Sequence, residues 1–136
     1  MSEENVETVR RGYELFAAGD FDGVAALFSA DVELSDAGGL GIADTAPGIR
    51  TGPQGFLRGV EETLEAFEDF QVQPEEFIDA GDVVVVPVSI SGRGRASGVM
   101  QEVHLVHVWG LHNGKVVRSE IYRTIAEALE GAGLSE

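Results

Sequence analysis

The chain contains no cysteine. Disulfides, thiolate metal sites and cysteine nucleophiles are therefore excluded together. Basic residues are scarce: nine lysines and arginines stand against 24 aspartates and glutamates, a formal charge of −15. Such a field repels phosphate backbones and anionic lipid surfaces, so neither nucleic acid nor a membrane is an expected partner. The plain reading of the charge is an acidic surface that favours solubility. No apolar run is long enough to cross a bilayer, and the opening MSEENVETVRR lacks the apolar segment of a signal peptide. A cytoplasmic location is expected. No Gly-x-Ser-x-Gly stretch occurs, which disfavours acyl-enzyme chemistry on a serine.

What is present is patterning. At 136 residues the chain suits one domain, 1–136, able to bury roughly two-thirds of its unfolded surface. Val6, Val9, Tyr13 and Phe16 recur at helical spacing behind Glu3 and Glu4, acids that suit a helix's positive end. Gly19 stops that helix and Asp20 caps a second, short one carrying Phe21, Val24, Leu27 and Phe28. A short strand then places Val32, Leu34 and Asp36 on one face, with Glu33 and Ser35 on the other. An aspartate among apolar groups is costly unless it is paired or its pKa shifts. Residues 37–50 form a glycine-rich loop long enough to act as a lid. Its Gly39-Leu40-Gly41 lacks the third glycine of a dinucleotide fingerprint and reads as plain loop. Thr51-Gly52-Pro53-Gln54 matches a capping box opening a third helix, with Phe56, Leu57, Val60, Leu64 and Phe67 as its apolar stripe.

From Gln71 onward the pattern changes to strands. Residues 72–78 form one, Gly81-Asp82 a turn, and 83–91 a near-continuous apolar run expected at the sheet's centre, with Pro87 marking an edge or bulge. Residues 92–98 make a polar hairpin tip, and 126–134 a terminal helical cap. Between them, residues 99–123 read as two long antiparallel strands turning at Asn113-Gly114. A two-residue loop would pair His107 with Glu120. A three-residue loop, His112-Asn113-Gly114, would pair Leu105 with Ile121, His107 with Ser119 and Trp109 with Val117. The second register is preferred, because it gathers the mostly apolar set on one face and sends Arg118, Glu120 and Tyr122 to the other.

Helices first, a strand carrying a carboxylate, a third helix and then a run of strands indicate an α+β fold, a curved antiparallel sheet wrapped around helices with a cleft between them. Here particular residues become familiar: Tyr13-Glu14-Leu15-Phe16-Ala17-Ala18-Gly19-Asp20-Phe21-Asp22 through Leu27-Phe28, then Gly114-Lys115-Val116-Val117 and Glu127-Ala128-Leu129-Glu130. Together they resemble the nuclear-transport-factor-2-like superfamily, in its SnoaL-like polyketide-cyclase and ketosteroid-isomerase branch. The resemblance covers nearly the whole chain as a single SnoaL-like domain. It implies a cone-shaped curved antiparallel (mixed) sheet wrapped around three helices and enclosing a pocket.

Ketosteroid isomerase combines an aspartate base with a tyrosine and a protonated aspartate that hold the oxyanion. Counted without gaps from Gly19-Asp20, Asp36 falls where that enzyme has its base. The tyrosine position falls on Gly12, beside Tyr13 but turned about 100° around the helix, so that role is not carried over. With a hairpin loop one residue shorter, the second oxyanion donor falls on His107. Limonene epoxide hydrolase, a relative of the same fold, uses an Asp-Arg-Asp set. Arg118 and Glu120 are its nearest echo, and the preferred register puts both outside the pocket.

The expected site is therefore Asp36 as proton acceptor and His107 as donor, in a mostly apolar cavity with Trp109, Leu34, Ser119, Ile121 and Tyr13. No metal or cofactor is expected, since His104 and His107 are three apart on a strand and point to opposite faces. The first reading is cofactor-independent isomerase, cyclase or lyase-type proton transfer on a small apolar carbonyl compound. A small-ligand-binding protein without turnover and a dimeric association module are the alternatives. A homodimer is expected through the outer sheet face, where His104, Val106 and Val108 would leave apolar area exposed.

Overall fold

Apolar spacing and turn residues sort the chain into a short list of elements. The computed structural model describes residues 2–35 and 49–131. Among them are helices α1 (Ser2–Ala17), α2 (Phe21–Ala25), α3 (Gly52–Ala66) and α4 (Ile125–Gly131). The strands are β1 (Phe28–Ser35), β2 (Ile49–Thr51), β3 (Phe67–Pro74), β4 (Ile78–Ala80), β5 (Val83–Gly94), β6 (Met100–His112) and β7 (Lys115–Tyr122). The fold is α+β, with one curved, mixed sheet in the order β2-β1-β7-β6-β5-β3 and β4 beside β5. The β1–β7 pairing is parallel and the others are antiparallel.

Several boundaries differ from expectation. The Asp20 cap is real, its carboxylate accepting from the Gly23 amide at 2.9 Å, but α2 ends at Ala25 and Phe28 already opens β1. Thr51 stands at the N-cap of α3 without a side-chain cap bond, so the expected capping box does not form. Instead Pro53 sits in the first turn of the helix, where its missing N–H costs nothing. Phe67 begins β3 rather than ending α3. The helix end is held by Arg95, whose backbone amide donates to the Ala66 carbonyl and whose Nε donates to that of Leu64. Pro87 is harmless for a related reason. Its carbonyl accepts from the Glu75 amide, so its nitrogen faces the interval between β3 and β4, where no ladder donor is required.

The hairpin register is neither of the two anticipated. Asn113 and Gly114 both adopt positive φ, 52° and 78°, as a type I′ turn requires. The loop is thus two residues, closed by His112 opposite Lys115. The register then slips: Leu111 faces Val116 and Gly110 faces Arg118, which leaves Val117 as a bulge on β7. Beyond it His107 lies opposite Ile121 and Trp109 opposite Ser119. The bulge shifts the pairing by one and restores the face that a three-residue loop would have given. Glu120, opposite Val108, and Arg118, lying across Gly110, remain outside.

Two cores result, one on each side of the sheet. The larger packs α1, α2 and α3 against the concave face around Val32, Leu34, Phe56, Val60, Val86 and Ile90. The smaller joins Val83, Val85, Val106 and Val108 to Ala128 of α4. Val106 and Val108 are 4% and 0% exposed, so the apolar outer face expected to be open is covered here by the chain's own last helix. Elsewhere on that face His104 lies beside Glu75 and Glu102, and Met100 is exposed. No described helix is long and apolar enough to cross a membrane.

Candidate functional site

Helix α1 presents one stripe to the sheet at the spacing the sequence announced. Thr8, Val9, Gly12, Tyr13 and Phe16 line a cavity from this side. Val24 and Leu27 close it around α2, Phe56 comes from α3, and Phe28, Val72 and Val116 come from the flanking strands. His107 and Trp109 project into it from β6. The cavity volume is about 50 Å³, room for a few water molecules or a small apolar ligand.

The polar groups form one chain. The Trp109 indole N–H donates to the Tyr13 hydroxyl at 2.8 Å. The same hydroxyl lies 2.8 Å from His107 Nδ1. Aromatic edges brace the arrangement, with the Tyr13 and Trp109 rings at 83° and a centroid distance of 6.0 Å, and His107 and Trp109 at 88° and 5.6 Å. His107 is 2% exposed, and burial pushes its imidazole from 6.5 down to about 4, because a charged ring would lose its hydration. Burial holds the Tyr13 phenol well above its ordinary range, the indole N–H opposing only in part. Both groups are neutral at pH 7.

Two buried polar atoms on this face have no partner among the described residues: His107 Nε2 and Ser119 Oγ. Buried polar groups are nearly always satisfied, so each is an open hydrogen-bonding position. No group of three or more histidine, aspartate or glutamate side chains among the described residues is arranged to hold a metal ion.

Of the residues expected at the site, His107, Trp109 and Tyr13 meet at the cavity. Asp36 lies outside the described residues, as does residues 37–48 of the expected lid, while Arg50 belongs to β2 and pairs with Glu62 at 2.6 Å. Leu34, Ser119 and Ile121 are not among the lining side chains. They sit on the same face, Leu34 paired with Ser119 on β7 and Ser119 with Trp109, while Ile121 faces His107. Sequence reasoning did not nominate the α1 positions Thr8, Val9, Gly12 and Phe16. A signal existed in Gly12, which interrupts a helical apolar stripe at a cost of about 1 kcal/mol relative to alanine and leaves open the space a side chain would fill.

A family model for the SnoaL-like domain matches residues 9–119. The chain belongs to the SnoaL-like family. Solved structures with the same fold agree with this. A nuclear-transport-factor-2-like protein of unknown function from Burkholderia pseudomallei is 27% identical, with 93% of this chain and 95% of that one covered at a TM-score of 0.75. TerC, co-crystallised with polyporic acid, is 25% identical over 93% and 96% of the two chains, also at 0.75. A protein with a ketosteroid-isomerase-like fold from Catenulispora acidiphila, in complex with trimethylamine, is 17% identical over 94% and 93% at 0.73. Comparison with curated proteins gave no match. The SnoaL-like fold thus holds small molecules in some of its members.

Proposed function

We propose that this SnoaL-like protein binds a small, largely apolar carbonyl compound and moves a proton on it without metal or cofactor, as an isomerase, cyclase or lyase does. One observation carries the reading: a buried, neutral histidine whose Nε2 has no partner among the described residues stands in the wall of a mostly apolar cavity. A ligand oxygen satisfies that position, and an imidazole hydrogen bond there stabilises the enolate oxygen that forms when a neighbouring carbon loses its proton. Asp36 is the proposed acceptor of that proton, nominated by its alternation with Val32 and Leu34 in the sequence. Leu34, Ser119 and Ile121 are proposed to support the ligand with Trp109 and Tyr13.

Deuterium incorporation at the α-carbon of small cyclic ketones tests the reaction. Asp36→Asn keeps the shape and removes the base, so binding should persist while exchange falls by orders of magnitude. Exchange unchanged in that variant sinks the mechanism. A second reading, ligand binding without turnover, is favoured by the absence of any carboxylate among the described lining residues; it gains if wild-type protein binds ketones and exchanges nothing. A homodimer through the outer sheet face around His104, beyond the part that α4 covers, completes the proposal. Light scattering that gives a monomer at micromolar concentration rejects it.

A further inference from the structure

The proposed ligand cavity leaves open whether His107 gives a hydrogen bond or takes one, and the partners of Tyr13 decide this. A neutral imidazole has one N–H and one lone pair, and the hydrogen bond at one nitrogen fixes the other. An indole nitrogen can only donate, so Trp109 occupies the Tyr13 oxygen as an acceptor. The hydroxyl retains a single proton. Among the described residues its remaining neighbour is His107 Nδ1, at 2.8 Å. If Nδ1 carried a proton, the phenol oxygen would accept twice and its own proton would be left in a site only 9% exposed, without an acceptor. Directed at Nδ1, that proton is satisfied and the Nδ1 lone pair is used. The imidazole hydrogen then sits on Nε2, the atom with no partner among the described residues.

We propose that Trp109 and Tyr13 are positioning residues that hold His107 as its Nε2–H tautomer, so that this cavity-lining residue offers a hydrogen-bond donor to a ligand that reaches Nε2. The ligand it selects carries an acceptor, such as a carbonyl oxygen, and a ligand whose polar group can only donate is rejected. The same geometry rules His107 out as the proton-accepting base, because its one lone pair is engaged. This deepens the function proposed above and rests on the same cavity. The tautomer, however, is a property of the protein without ligand, and can be measured whether or not anything is turned over.

The test is long-range nitrogen-15 NMR of the intact chain near pH 7. For His107, Nδ1 should resonate as an unprotonated, pyridine-type nitrogen and Nε2 as a protonated, pyrrole-type one. The reverse assignment overturns the proposal. Trp109→Phe frees the Tyr13 oxygen to accept from the ring, and Tyr13→Phe removes the donor to Nδ1. In each variant, provided its amide spectrum stays dispersed, the Nδ1 signal should move toward the protonated position. An unchanged pattern in either overturns the joint positioning role, and the wild-type spectrum decides the tautomer even if both variants fail to fold. Titration with cyclopentanone should then shift the Nε2 resonance while cyclopentane does not. Equal shifts, or none with either, overturn the donor role toward ligand. Loss of α-carbon exchange with the tautomer intact would reject only the catalytic reading.

Discussion

Strand β6 has two faces with opposite chemistry, and adjacent residues show it. Val106 and Val108 point outward into a small cluster with Val83, Val85 and Ala128. The fully buried side chains there are hydrocarbon, satisfied by contact alone, and only Tyr122 at the margin carries a hydroxyl. His107 and Trp109 point inward, where His107 is just as protected from water, 2% exposed, beside a partly buried Trp109. The inner surface is held by directional bonds through Tyr13 and retains two polar atoms without a partner among the described residues, His107 Nε2 and Ser119 Oγ. Burial is common to both faces and marks neither as functional. Unmet hydrogen-bonding capacity distinguishes the inner one.

The strongest way to break this comparison is to give the outer face what the inner one has. Val85→His places an imidazole opposite Val108 and Ile78, among hydrocarbon with no hydroxyl or indole paired to it. The expected loss is about 3 kcal/mol or more, from an unpaired polar group and overpacking at a fully buried position. Urea unfolding measures it. A loss below about 1 kcal/mol would show that the outer cluster accommodates polar groups as readily as the cavity wall, and the distinction would fail.

A second contrast comes from pH. His107 titrates near 4 in the folded chain, against 6.5 for the ordinary imidazole. Above 6.5 both states are neutral and the residue adds no pH dependence. As pH falls below 6.5 the unfolded chain binds a proton that the folded chain refuses, so stability declines until about 4 and then levels. The full effect is about 3 kcal/mol by the usual conversion of pKa shifts. Carboxylates contribute to any acid transition, so the quantity to compare is wild type minus His107→Leu. That difference should fall steadily as pH drops from 6.5 to 4. A flat difference would mean that the buried ring is charged or hydrated, contrary to the description of the inner face.

The faces themselves were legible in the sequence because strand alternation has a fixed period. Leu105, His107 and Trp109 share a side whichever even offset the hairpin adopts, and keeping Glu120 off that side was enough to choose it. The offset was not legible. Both positive-φ positions fell within Asn113-Gly114, and the extra residue went to Val117, inside an apolar stretch with nothing to flag a bulge. Phe28 and Phe67 were each assigned to the preceding helix, because one apolar residue at a helix–strand junction fits both periods. The Tyr13–His107 bond joins residues 94 positions apart and depends on how α1 is rotated over the sheet. Helical spacing could identify the stripe holding Tyr13, but not the partner its hydroxyl would meet. Covering of Val106 and Val108 by α4 was likewise a matter of where a terminal helix docks.

The smallest expected effect is the sharpest on the meaning of an open position. Ser119 is 1% exposed and its hydroxyl has no partner among the described residues. Thr63, 0% exposed, instead donates its hydroxyl to the Gly59 carbonyl at 2.9 Å. Removing a buried hydroxyl that makes a bond costs about 1 kcal/mol, whereas removing one that makes none relieves a desolvation penalty. Thr63→Val should therefore destabilise by about 1 kcal/mol, and Ser119→Ala should stay within about 0.5 kcal/mol of wild type or improve on it. If Ser119 costs more than Thr63 in urea unfolding, its oxygen has a partner and the inner face has one open position rather than two. If Ser119→Ala is neutral for stability yet weakens cyclopentanone binding, the hydroxyl is kept for the ligand. That outcome would place Ser119 with His107 in the cavity's polar function, despite its absence from the lining.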